Sequence, residues 1–457
     1  MPGVPSLSAA EVRTGLRIAR AEIVPSAVMA GCTEAFMIPY ALALGADVLQ
    51  VGALSAVRNL ILSLVQLKSA DATRWFGSRR RLVFSTAVIQ ATLWVPMALV
   101  PWTFSDGAVA GLIVLYTAGA AIAAFGGPAW GSLVSEYLVP EERGQFFGRL
   151  SRIGGISKSA AGLLAGGFLS LLAGQRLVGF ALLCGVAALS RTVSAAQLAR
   201  FPEGPWREDR SERFSFWQFV RQVPTSNFAR FALCAGLLSF GVNVAAPYVA
   251  VYLLEQLHLG YLPYTIIVEA GAAAAFLTAS RWGYVGDRSG NWVVLRWTML
   301  GVSISPLLWG LSDSAVWMLA AYTVGGVLWG GFNLAVVNFV YDAVTPSKRA
   351  RCLAYFNVIN GCGVSLGAMT GGWLLERLPP LAGNPFLTLF WVSAGLRLLA
   401  ALTFARSVRE VRMVRPTGLR QVVFDLVGQR LVNVLGLLPP WRDTDVGEPR
   451  GRGDHRG

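Results

Sequence analysis

Among the ionisable residues inside the long apolar stretches of this 457-residue chain, four are the strongest candidates for chemistry: Glu34, Arg58, Lys158 and Glu269. A charged side chain at the centre of a bilayer is costly unless it is paired or hydrated, so such residues are candidates for a functional site. A buried carboxylate favours its protonated form, whereas a nearby cation favours the ionised form. The four residues therefore predict a site that binds a polar solute or exchanges protons.

The positions of Glu34 and Arg58 place them at one depth. Each lies twelve residues from Ala46, the centre of the turn between two apolar stretches. At 1.5 Å per residue, both are about 18 Å of helix from that turn. This spacing predicts a carboxylate–guanidinium pair near the middle of the membrane. A purely structural ion pair is the alternative interpretation.

Lys158 and Glu269 are the other two buried ionisable groups. Lys158 lies ten residues into its apolar stretch, about 15 Å deep, and Glu269 lies well inside another. The functional interpretation is proton coupling, because a carboxylate without a partner in its own half favours its protonated form. The alternatives are a lysine that extends to the aqueous surface and a glutamate that bonds to helix backbone.

The elements that position these residues are membrane spans. Hydrophobic residues make up 54% of the chain and charged residues 14%, against roughly 25% charged in soluble proteins. This composition excludes a soluble enzyme and predicts an all-α polytopic membrane protein. Twelve apolar stretches reach the length that a bilayer requires. They are residues 21–45, 48–67, 82–102, 108–137, 149–173, 177–199, 229–254, 262–281, 292–312, 315–343, 352–376 and 386–405.

Basic residues predict the orientation of these spans. The net charge is +14, and 33 of the 39 Lys and Arg residues lie in alternate loops and the two terminal segments, against two in the opposite loops. The positive-inside rule then places both termini and the central loop 201–228 in the cytoplasm. The charge excess is explained without a nucleic-acid partner.

Both terminal segments are predicted to be cytoplasmic. Residues 1–20 carry four charges and no apolar stretch, so we expect no cleaved signal peptide. In the tail, 407–457, polar residues recur every four positions over 416–438. This pattern favours a helix that lies in the membrane interface.

The two halves of the chain repeat each other. Pro140 and Arg143 recur 206 residues later as Pro346 and Arg349, and Glu136 recurs as Asp342. Arg191 and Arg397 show the same offset. A repeated membrane bundle commonly holds its binding site between the halves, near mid-bilayer.

One motif extends these observations to a family. Gly283, Asp287, Arg288 and Gly290 form a GxxxDRxG pattern after the eighth span. With six-plus-six spans and a basic central loop, the chain resembles the major facilitator superfamily. The resemblance implies two pseudo-symmetric six-helix bundles, at 21–200 and 229–406, and transport of a small organic solute by alternating access.

The resemblance also implies a cytoplasmic gate. In the family, the motif aspartate caps a neighbouring helix and stabilises the outward-facing state. The first-half copy of the motif is degraded, with Arg74 at the aspartate position, so the gate is expected on Asp287 and Arg288. The expected gate also includes the acid and the arginine that occur after span four and again after span ten: Glu136, Arg143, Asp342 and Arg349.

Further expectations about the cavity follow from the family arrangement. Spans five and eight face each other, which would bring Lys158 to Glu269. Asn243, Asn333 and Asn360 lie on spans expected to line the cavity. Arg191 and Arg397 lie on spans six and twelve, which the family places outside the bundle, so we interpret them as structural.

The remaining expectations concern partners and competing functions. The sequence predicts a plasma-membrane transporter, not an enzyme, whose partners are lipid, a small-molecule substrate and protons. No metal, cofactor or ATP is expected, because the sequence contains no GxxxxGK[ST] motif and both histidines lie outside the spans. An energy-independent uniporter and a transporter-like receptor or scaffold are the alternatives.

Overall fold

A computed structural model describes residues 7–104, 106–204, 221, 226–381, 383–412, 422 and 426. In these residues the chain is helical, and its β structure is limited to one isolated bridge between Leu381 and Asn384. The predicted interfacial helix at 416–438 lies, except for two residues, outside the described part of the chain.

The described helices alternate in direction through the two halves of the chain. In the first half they are α1 (Ala9–Thr33), α2 (Met37–Ala43), α3 (Val48–Gln66), α4 (Ser69–Phe76), α5 (Arg79–Thr103), α6 (Ala108–Glu136), α7 (Pro140–Leu171) and α8 (Arg176–Leu198). In the second half they are α9 (Asn227–Val251), α10 (Tyr261–Ser289), α11 (Asn291–Trp309), α12 (Ala315–Ala343), α13 (Pro346–Leu375) and α14 (Pro385–Ser407). We call the face at which α1 begins and α14 ends the terminal face.

These helices form twelve transmembrane segments in two pseudo-symmetric six-helix bundles, which confirms the predicted fold class. Within the described residues, eleven segments are long and apolar enough to span a bilayer by composition alone, and α1 with α2 counts as one of them. The twelfth segment is α7, whose apolar part is interrupted by Lys158 and several small residues. It packs between α1 and α10 like a span.

The outer surface of the bundle is apolar. Large aliphatic side chains such as Leu164, Leu171 and Val316 are each at least 75% exposed. An exposed apolar surface of this kind is unfavourable in water and is expected where lipid covers the protein.

The first membrane segment is broken where it reaches Glu34. Pro39 has no N–H to bond the carbonyl of Ala35 four residues earlier, so a regular helix loses a hydrogen bond there. The chain turns between α1 and α2, and the Ala35 carbonyl instead accepts a hydrogen bond from Tyr264 Oη of α10, at 2.9 Å. The carbonyl group that the break leaves free therefore accepts a hydrogen bond from the other half of the chain.

The halves meet along two seams. In one seam α3 packs against α13, and in the other α7 packs against α10. Glycines permit the close approach: a Cβ on Gly361 of α13 would overlap Ser63 of α3. At the face opposite the terminal face, the Leu262 N–H of α10 donates to Ser170 Oγ of α7 at 2.9 Å.

Candidate functional site

A cavity of about 380 Å³ lies inside the first half, between α1, α3, α5, α6 and α8. Its volume is in the range of small-molecule sites, which hold a few polar groups on a mainly apolar wall. The predicted residues Glu34 and Arg58 both line it. The other polar or aromatic side chains on its wall include Ser26, Thr33, Gln66, Gln90, Trp94, Tyr116 and Arg191.

Glu34 forms an ion pair with Lys158, not with Arg58 as the sequence predicted. The reason is the contact between α1 and α7. Gly31 has no side chain, and a Cβ there would overlap the Lys158 carbonyl oxygen. Since α7 approaches α1 so closely at Gly31, the carboxylate one turn later on α1 lies beside the Lys158 ammonium.

Arg58 lines the same cavity, but no carboxylate of the described residues is bonded to it. Its guanidinium lies over the Tyr116 ring, 5.0 Å from the centroid, an arrangement that stabilises a cation. The Arg58 Nε is buried and has no hydrogen-bond partner. In the part of the chain that the structure describes, Arg58 forms no ion pair.

Glu269 lies at the junction of α1, α7 and α10. The residue is only 9% exposed, and its Oε1 lies 3.0 Å from the position that a Cβ on Gly162 would occupy. Gly162 is one helical turn from Lys158 on α7. The fifth and eighth spans, α7 and α10, therefore face each other as expected. The expected contact between Lys158 and Glu269 does not form, because Lys158 bonds to Glu34. Glu269 has no hydrogen-bond or ion-pair partner among the described residues.

A second ion pair, which the sequence reasoning missed, lies beside the cavity. Glu22 of α1 is 3% exposed, accepts a hydrogen bond from Ser194 Oγ at 2.7 Å and lies 3.6 Å from Arg191 Nη1. Arg191 lines the cavity, so the expectation of a peripheral side chain is wrong. Arg191 could have indicated this pair in the sequence, because an arginine inside an apolar span requires a counter-charge.

Arg397, the counterpart of Arg191 in the repeat, is also buried rather than peripheral. It is 1% exposed and donates to the carbonyl of Val302 at 3.1 Å and to Ser393 Oγ at 3.0 Å. No carboxylate pairs with it among the described residues. The bond to Val302 connects α14 with α11.

The three predicted cavity amides lie elsewhere. Asn243 donates to the carbonyl of Ser239 within α9 at 2.8 Å, and Asn360 of α13 accepts a hydrogen bond from the Ser239 hydroxyl. Asn333 is exposed on α12. None of the three lines the cavity described above.

At the terminal face of the second half, Asp342 is the centre of a polar cluster. Arg412 Nε lies 2.9 Å from Asp342 Oδ2, and Asn291 Nδ2 donates to the same oxygen at 2.7 Å. The hydrogen bond that Arg412 donates to Asp342 raises the pKa of Arg412 above its ordinary value. Asp287 lies 3.6 Å from Arg412, and its side chain is 79% exposed.

The helix cap that the resemblance assigned to the motif aspartate is supplied by a different acid. Glu410 accepts a hydrogen bond from the Trp292 N–H at the start of α11, at 2.8 Å. Asp287 caps no helix in the described part of the chain. Gly290, with φ of 90°, forms the sharp turn before α11, a conformation that favours glycine.

The first half repeats this arrangement. Glu203 accepts a hydrogen bond from the Arg79 N–H at the start of α5, at 2.7 Å, and the Arg79 side chain bonds to Glu136. A carboxylate near a helix N-terminus is favoured by the helix dipole. In both halves, therefore, an acid after the sixth span caps the third.

The other predicted gate residues contribute less. Arg143 Nε lies 3.4 Å from the Leu138 carbonyl, and Gly283 and Arg288 lie in the last two turns of α10. Arg349 lies in the first turn of α13, and its side chain is outside the described part.

Comparisons with known proteins agree with this architecture. Residues 231–443 match the family model described as Major Facilitator Superfamily. Multidrug resistance protein 1 of Bacillus subtilis (strain 168) is 25% identical over 37% of this chain and 42% of its own length. The chain thus matches less than half of that relative.

Two solved structures share the fold over nearly their whole length. A mutant of the nucleoside transporter NupG superposes with a TM-score of 0.70 at 15% identity, covering 87% of this chain and all of that chain. A D-xylose-proton symporter superposes with a TM-score of 0.66 at 13% identity, covering 89% of this chain and 99% of that chain.

Proposed function

We propose that the chain is a member of the major facilitator superfamily and that it is a secondary transporter, which moves a small organic solute across the membrane by alternating access. The observation that carries this proposal is the junction of α1, α7 and α10. There Lys158, which is paired with Glu34 in the first half, lies one turn of α7 from Gly162, and Gly162 packs against the carboxyl group of Glu269 in the second half. Sites between the two halves of a repeated bundle are those that rocking of the halves exposes to each side in turn.

We infer that protons are the coupling ion. Lys158 bonds to Glu34 in its own half, and the carboxyl group of Glu269 in the other half lies against Gly162, one turn of α7 from Lys158. Rocking of α10 against α7 changes the distance between Glu269 and Lys158. Because a nearby ammonium favours the ionised carboxylate, this movement links proton binding to the conformational change.

We also infer that the protein lies in the plasma membrane with both termini in the cytoplasm. The charge distribution supports this orientation: 33 basic residues lie on the side of the termini and two on the other. The terminal face is then the cytoplasmic face.

A reversible cross-link between the halves tests alternating access. Ser170 and Leu262 are in contact across the seam of α7 and α10, so Ser170→Cys with Leu262→Cys should form a disulfide under oxidation. In proteoliposomes loaded with a pool of small organic solutes, we expect the oxidised double variant to lose efflux and a reductant to restore it. Each single cysteine variant is the control for oxidation of the native thiols.

The same assay tests the gate. Asp287→Asn and Asp342→Asn should slow efflux but leave solute binding unchanged, because both side chains lie at the terminal face, away from the cavity. Glu142→Gln, an exposed change on the same face, is the matched control. If no solute leaves through the wild type, or if the cross-linked protein transports normally, the chain is not a carrier of this type.

A further inference from the structure

We propose that the cavity in the first half binds the acidic group of a small organic anion, and that Arg58 is the residue that holds it. This inference rests on the proposed transport function and names its substrate class. It is carried by the balance of charges and hydrogen-bond donors on the cavity wall.

The ionised groups of the cavity leave one positive charge unmatched. Glu34 is paired with Lys158, and Arg191 lies 3.6 Å from Glu22. Arg58 is the remaining cation of the cavity wall, and no carboxylate of the described residues pairs with it. An unpaired cation inside a membrane protein is costly, and a bound anion would remove that cost.

The fully buried side-chain atoms of the cavity wall that have no partner among the described residues are all of one kind. Three buried side-chain atoms on its wall have no partner: Arg58 Nε, Arg191 Nε and Trp94 Nε1. All three are N–H donors, and neither guanidinium nor indole nitrogens can accept a hydrogen bond. A ligand that satisfies them must present acceptors, as a carboxylate does, rather than an ammonium group.

The rest of the wall favours an organic body over a small inorganic ion. Met29, Leu62 and Met97 line the cavity together with the rings of Trp94 and Tyr116. A space of about 380 Å³ is within the range of sites for small organic molecules. Apolar and aromatic surface around a single charged anchor is the usual composition of a site for an amphipathic molecule.

Three probes with one skeleton and different head groups test the substrate class: 3-phenylpropionate, 3-phenylpropylammonium and 3-phenylpropanol. We expect calorimetric titration of the purified protein to show the carboxylate binding at least about tenfold more tightly than the other two, which is about 1.4 kcal/mol. Arg58→Gln should remove that preference, Arg58→Lys should keep part of it, and Trp94→Phe should weaken carboxylate binding.

Arg296→Gln is the matched control. Arg296 also lies over aromatic rings, those of Trp292 and Trp297, and also has a buried Nε without a partner, but it lies in the other half. Its replacement should leave the carboxylate affinity unchanged. Size-exclusion profiles and thermal midpoints of all variants establish that each one is folded.

Several results would overturn the assignment. One is equal or tighter binding of the ammonium or the alcohol by the wild type, another is a carboxylate preference that survives Arg58→Gln, and a third is no carboxylate binding in the millimolar range. Carboxylate binding without any flux would contradict the transport function alone. Flux of cationic or neutral solutes that does not depend on Arg58 would contradict the anion assignment alone.

Discussion

At the scale of single residues, the types of the ionisable groups inside the spans were predictable but their partners were not. Glu34, Arg58, Lys158 and Glu269 are conspicuous because each interrupts an apolar stretch. The Glu34–Lys158 bond depends on how closely α7 approaches Gly31, and spacing along one chain carries no information on that contact. Glu22 escaped notice because it lies near the start of its span, where an acid can reach water.

The proton-coupling proposal gives a prediction for Glu269. Glu269→Gln keeps the size and shape of the side chain and resembles the neutral acid, but it removes the titration. We therefore expect loss of pH-driven accumulation, whereas solute exchange, which needs no net proton movement, continues. Both are measured in proteoliposomes with and without a pH gradient.

Glu255→Gln serves as the control, since Glu255 lies at the end of the segment that follows α9, beside the loop opposite the terminal face. It should not alter either activity. An unchanged pH dependence in Glu269→Gln would place the proton site elsewhere, and Glu34 would be the next residue to test.

At the scale of helices, the sequence located the spans but not their internal geometry. The fifth span was recognised despite Lys158, because its flanking apolar residues complete the required length. The break in the first span was not predicted, although Pro39 in the sequence indicates a weakened helix there. Proline weakens a helix at a known position, but whether the chain bends or turns there depends on Tyr264, a residue of the other half.

The crossing of α1 and α7 provides a stability prediction. Gly31→Ala places a methyl group onto the Lys158 carbonyl, and overpacking of this kind costs about 1–3 kcal/mol. Gly155→Ala on α7 has no atom within 4 Å of the new Cβ. Since alanine favours helix over glycine by up to about 1 kcal/mol, that variant should be neutral or more stable.

Thermal unfolding in detergent measures both variants. We expect a lower midpoint for Gly31→Ala and an equal or higher one for Gly155→Ala. Equal midpoints for Gly31→Ala and the wild type would show that α1 and α7 do not cross as closely as described.

At the scale of the whole molecule, composition and repetition were enough to predict the fold class. The 206-residue offset relates Glu136 to Asp342, and in the structure both acids bond to the first residue of the preceding span, Arg79 or Asn291. The glutamates that cap those spans, Glu203 and Glu410, were not predicted. They follow the last span of each half, and their contact with the third span is a product of bundle packing.

The orientation of the whole bundle is the last prediction. Asp106 lies in the short loop between α5 and α6, and Glu142 lies at the start of α7 on the terminal face; both are exposed. Because basic residues are retained on the cytoplasmic side, a cysteine at position 106 should react with a membrane-impermeant maleimide in intact cells. A cysteine at position 142 should react only after permeabilisation. The reverse pattern would invert the molecule and assign the terminal face, with its Asp342–Arg412 cluster, to the outside.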